Sequence, residues 1–239
     1  MVKRKIILSH FLLLTVLISG ELYPQSKPTT WDNKGWDRSE LGTGDHEKYL
    51  TQDEKDVIYY LNMARTNPHR YAEEFLEPML GFFKGTKYKE PGWDYYMETK
   101  EGKKPLEELI VEMKRMNPVG MLLPARGLSL AARDHASDQS VTGEVGHTGK
   151  DRSDIDERIE RYGKWKGNIG ENISYGFTSG RDIVSQLLID DGVPNRGHRV
   201  IIFSEDFRFA GISILHHKKY SHICVIDFAQ SFFPDKKFK

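Results

Sequence analysis

The hydrophobic period of this chain changes once along its length, and that change limits the architecture it can adopt. Over the first two-thirds, apolar residues recur at helical spacing; near the end they run as strand residues do. Thr51-Gln52-Asp53-Glu54 is a capping box, with Val57, Leu61 and Ala64 behind it, and Asn67-Pro68 stops that helix. A second helix is expected over 69–80. Pro105 suits the first turn of a third over 106–116, which Asn117-Pro118 closes. Leu128, Ala131, Ala132 and His135 mark a helix from 127 to 141, and Gly143 to Asp151 is turn chemistry. Ile183, Val184, Leu187 and Leu188 form one buried face of a helix over 181–190. Residues 209–215 and 221–228 then read as two strands joined by a polar turn at 216–220. Helices followed by strands, without repeats or regular βαβ alternation, predict an α+β layered domain rather than a doubly wound nucleotide-binding fold.

Charge and leader narrow the function classes. Lys plus Arg equals Asp plus Glu at 35 each, so no global field draws the chain to nucleic acid or an anionic membrane. Any partner preference must come from a local site. Lys3, Arg4 and Lys5 precede an apolar run over 6–18, with small residues Ser19, Gly20 and Ser26 behind it. That is the layout of a cleaved signal peptide over 1–25, and it implies a secreted or periplasmic protein. The run is short for the ~30 Å of hydrocarbon a helix must cross, an uncleaved anchor being the alternative, and no later segment is apolar enough to span. Residues 26–50 have no period and read as a linker or an arm draped over a domain spanning 51–239. Residues 81–104, rich in Gly, Lys and Tyr, read as an exposed insertion whose aromatics rim a surface or pin the loop. A lone cysteine, Cys224, permits no internal disulfide, so the domain relies on its core; Ile223-Cys224-Val225-Ile226 makes Cys224 a small buried hydrophobe.

Three segments place an ionisable residue beside glycine, where backbone can turn sharply and a ligand can approach. They are Gly146-His147-Thr148-Gly149, Gly170-Glu171-Asn172-Ile173, and 190–199, Asp190-Asp191-Gly192 through Gly197-His198-Arg199. Taken in order, with Leu61-Asn62-Met63-Ala64-Arg65-Thr66-Asn67-Pro68, the 128–136 helix, Arg161-Tyr162-Gly163, Phe203, Gly211 and Asp227-Phe228-Ala229-Gln230, they resemble the CAP superfamily (cysteine-rich secretory proteins, antigen 5, pathogenesis-related 1) over residues 51–233. The resemblance implies an α-β-α sandwich around a central antiparallel sheet. It also implies a cleft of two histidines and two acids: His147, Glu171, His198, and either Asp190 or Asp191, since one residue of slip on a helix is about 100° of rotation.

Three roles for such a tetrad stay open. As a binding or effector module, the protein takes a lipid, a sterol, or a host or cell-surface protein, with His147 and His198 able to hold Zn²⁺ or another divalent ion. As a metal-assisted hydrolase it uses Glu171 and His198 catalytically, with Glu171 as base, although no His-Glu-x-x-His helix is present. As a structural network the four side chains satisfy one another and fix the cleft loops. His135 is a core or cleft-lining residue on this reading, and His216, His217 and His222 belong to a solvated hairpin turn. Asn172-Ile173-Ser174 fits the glycosylation pattern only incidentally.

Overall fold

The computed structural model describes residues 5–8 and 35–238. The proposed signal-peptide cut sites and Trp31 lie outside the described residues. Lys5–Leu8 (β1), inside the expected leader, pairs in parallel with the edge of the main sheet, Lys5 against Asn168 and Leu8 against Glu171.

A short helix, Arg38–Leu41 (α1), packs against the domain, with Trp36, Leu41 and Leu50 buried in the main core. Thr51 then caps Gln52–Thr66 (α2), closing the expected box: Glu54 N donates to Thr51 Oγ1 and Thr51 N to Glu54 Oε2. Pro68–Tyr71 (α3) follows Asn67, and the helix expected over 69–80 continues as a π turn, Ala72–Leu76, and a 3-10 stretch, Glu77–Phe82.

The insertion differs from expectation. Phe83–Lys84 (β2), Lys87–Tyr88 (β3) and Met97–Glu98 (β4) form a small antiparallel sheet, and Tyr88 and Glu90 are buried. Its order comes from packed rings, Tyr88 edge-on to Trp93 at 5.6 Å and Phe83 tilted against Tyr88 at 4.8 Å, which composition alone does not reveal.

Lys104–Met113 (α4), Leu123–Pro124 (β5), Arg126–Thr142 (α5) and Ile155–Glu160 (α6) come next. Gly163–Tyr175 (β6) is a 13-residue strand. The Gly170-Glu171-Asn172-Ile173 segment is therefore strand, not turn. Gly180–Ile189 (α7), Gly197–Ile202 (α8), Phe209–His217 (β7) and Ser221–Pro234 (β8) complete the fold.

The sheet runs β1-β6-β8-β7-β5, antiparallel at its centre and parallel at both edges. Strand alternation sorts β8 between two layers. Cys224, Ile226 and Phe228 join the core under α2, α4 and α7, whereas Val225 and Ala229 pack with α5 and α6 residues on the other face. Helices thus cover both faces of one sheet, the α-β-α sandwich the resemblance implies.

The close fit has a specific cause at Gly211. A Cβ there would lie 2.1 Å from the Leu128 backbone carbon, so glycine lets α5 rest directly on β7. The turn expected at 216–220 is shorter and drier than a solvated loop. His217 is buried; its Nδ1 accepts from Lys219 N and Tyr220 N, and its Nε2 faces the Glu144 carbonyl at 3.1 Å. Cys224 is buried and free, and burial pushes its thiol up. No helix among the described residues is long and apolar enough to cross a membrane.

Candidate functional site

Each histidine of the expected tetrad carries its own carboxylate. His147 Nδ1 donates to Glu171 Oε1 at 2.7 Å, and His198 Nδ1 donates to Asp190 Oδ1 at 2.6 Å. Both pairs are arranged by local backbone chemistry. Asp190 ends α7 in the left-handed region (φ 56°), a conformation aspartate tolerates better than most residues. From there its second oxygen also accepts His198 N at 2.9 Å, tying α7 to the start of α8. Asp191 turns away and accepts Lys100 N (2.6 Å) and Glu101 N (2.8 Å), so it clips the insertion to α7 instead. Of the two aspartates, Asp190 is the one beside the histidine.

Strand β6 stands between the pairs. Glu171 holds the His147 side chain, while the next residue, Asn172, donates its Nδ2 to the His198 carbonyl at 3.1 Å. Successive strand residues point to opposite faces, so β6 grips the two histidine segments from its two sides.

The Glu171 pair belongs to a buried cluster with Arg158, which the sequence reading did not single out, and Asp227, which it named only within a motif. Arg158 Nη2 donates to Glu171 Oε2 at 2.7 Å, and its Nη1 donates to the carbonyls of His147 and Ser153. Asp227 faces Glu171 in register across β6 and β8 and is fully buried. Burial and the neighbouring Glu171 charge push Asp227 well above its ordinary value, which favours its protonated form. Burial also raises Glu171, but the His147 hydrogen bond and the Arg158 charge outweigh it and hold Glu171 well below its ordinary value. Both Glu171 oxygens are thus committed, which leaves it poorly placed for the base role expected of it. His135 is buried as expected; its Nε2 meets the Gly146 carbonyl at 2.8 Å, beside a 2.6 Å bond from Gln139, and burial pushes its pKa down.

A divalent ion would have to bind through the Nε2 atoms of His147 and His198, because both Nδ1 atoms serve carboxylates. Among the described residues no three His, Cys, Asp or Glu side chains stand together so as to hold a metal ion. Two imidazoles fall short of the three protein ligands a catalytic zinc keeps. Asn172 is fully buried, out of reach of glycosylation.

The His198–Asp190 pair opens onto a cleft of about 100 Å³ that is open to solvent on one side. Phe83, Tyr88, Trp93 and Met97 of the insertion form one wall, and Ile173, Tyr175, Phe177 and Ile189 another. α7 is fixed to β6 at this wall: Ser174 Oγ donates to Gln186 Oε1 (2.5 Å) and Gln186 Nε2 to the Tyr175 carbonyl (3.2 Å). The insertion's aromatics therefore rim a surface and pin the loop at once. His147 and Glu171 do not line this cleft.

Residues 61–228 match the family model described as the cysteine-rich secretory protein family, CAP. No curated protein matches the chain. Among solved structures, an extracellular protein containing an SCP domain from Bacillus anthracis is 17% identical with a TM-score of 0.39. The match covers 47% of this chain and 35% of that one. An outer surface protein from Borrelia burgdorferi is 19% identical with a TM-score of 0.40, covering 46% of this chain and 78% of that one.

Proposed function

This chain belongs to the CAP family of cysteine-rich secretory proteins, and from that premise we propose that it is an exported binding module for an apolar ligand of lipid or sterol type. One observation carries this reading: a cleft walled by aromatic and aliphatic side chains that ends at the His198–Asp190 pair. Sites for small molecules are commonly concave, mainly apolar, and furnished with a few convergent polar groups that orient the ligand. The apolar walls supply affinity by removing hydrocarbon from water, at about 25 cal/mol per Å² buried. His198 and Asp190 supply the polar end.

The other half of the tetrad has a different task. His147, Glu171 and Arg158 tie the 146–153 loop to β6 and so keep that strand rigid beside the cleft. Export rests on the basic and apolar leader.

Calorimetric titration of the delipidated protein with a long-chain alcohol or a sterol tests this reading. Saturable one-to-one binding is expected, and Ser185→Trp, which fills the cleft from α7, should abolish it. No binding of any apolar probe would sink the proposal.

A further inference from the structure

The cleft's walls are apolar, but its ionisable lining is one-sided. Glu90, Asp182, Asp190 and Asp191 all line it, and among the described lining residues there is no lysine or arginine. Arg181, behind the lining, is one cation shared by two carboxylates: Nη2 donates to Glu90 Oε2 at 2.6 Å and to Asp182 Oδ1 at 2.5 Å. Asp190 is matched by His198. Asp191 accepts backbone N–H groups, and the nearby Arg196 is already engaged by Glu101 and Glu108. Arg181 and His198 thus face four carboxyl groups, and a surplus of negative charge borders the cleft.

The ring geometry suits a cation as well. Trp93 meets Tyr88 edge-on at 5.6 Å, lies tilted 6.3 Å from Phe177 and is stacked on Tyr95 at 5.0 Å, so three aromatic rings line the cleft beside those carboxylates. Aromatic faces with acidic neighbours attract ammonium groups, the more so where water is partly excluded. The same surroundings repel a fatty-acid carboxylate, which would bring a fifth negative group to a site with no lysine or arginine to receive it.

We propose that the cleft selects a cationic amphiphile, an ammonium group on an apolar chain, over an anionic or neutral lipid of equal length. This rests on the reading above that the cleft holds an apolar ligand. Three ten-carbon probes test it by calorimetry on the full chain below their micelle concentrations: decyltrimethylammonium, decanol and decanoate. Decyltrimethylammonium should bind at least tenfold more tightly than decanoate, with decanol between them. In Asp182→Asn the ammonium-to-decanoate ratio should fall below threefold. Glu90→Gln, with a cooperative melt confirming its fold, should lower the ratio in the same direction should Asp182→Asn fail to fold. Decanoate binding as tightly as the ammonium probe overturns charge selection and leaves the apolar cleft standing. Failure of all three probes to bind overturns the cleft reading itself.

Discussion

Glu171 and Asp227 face each other across two strands with their pKa values pushed in opposite directions, Glu171 down and Asp227 up, and Arg158 beside Glu171. Their opposite behaviour gives separable predictions. Glu171→Gln leaves Arg158 buried with its charge unanswered, a loss of about 3–5 kcal/mol by chemical denaturation. Asp227→Asn keeps a neutral, similarly shaped group and should cost less than about 1 kcal/mol near pH 5. The pH dependence follows with opposite signs. Glu171's folded pKa is depressed, so its contribution is complete above the ordinary value of 4.5 and drains away as pH falls through the folded value. Asp227's is raised, so its contribution is complete below 3.8 and is lost as pH rises. Asp227→Asn should therefore gain stability relative to the parent protein as pH rises above about 4, measured by denaturant titration at each pH. A constant difference would show that Asp227 is not held protonated. Asp227 was legible only as part of a family motif without a role. Arg158 was invisible, one arginine in a charged run, because its partner lies on another element.

At the scale of elements, the helices were readable because their signals are local: Thr51 with Glu54, Pro105 in the first turn of α4, the four-residue stripe of α7. β6 was not readable. Glycines at 163, 167 and 170 imitate turn chemistry, a bulge shifts its register between Lys166 and Ile169, and both faces are covered beyond it, which erases alternation. Its pairing with β8, some sixty residues away, is what makes it a strand. The insertion likewise takes its order from contacts outside itself. Asp191→Ala should release it from α7: limited proteolysis would then cut within 81–104 several times faster, and affinity for an apolar probe would fall. Unchanged cleavage would show that the rings alone hold it. Gly211→Ala forces a methyl group against the α5 backbone and should cost about 1–3 kcal/mol in thermal or denaturant unfolding.

For the whole molecule, the two-period sequence translates into layers. Helices close both faces of one sheet, and a single chain with one buried thiol does this with no disulfide among the described residues. Of the tetrad expected as one cleft, His198 and Asp190 line the aromatic pocket, while His147 and Glu171, joined by Arg158, do not. If that pocket is the working surface, the protein purified from the culture of its own cells should carry its ligand. Solvent extraction followed by mass spectrometry tests this most directly. An apolar molecule should come out near one equivalent from the parent protein, and none from Ser185→Trp. An empty extract, or the same molecule in equal amount from both proteins, would contradict the account.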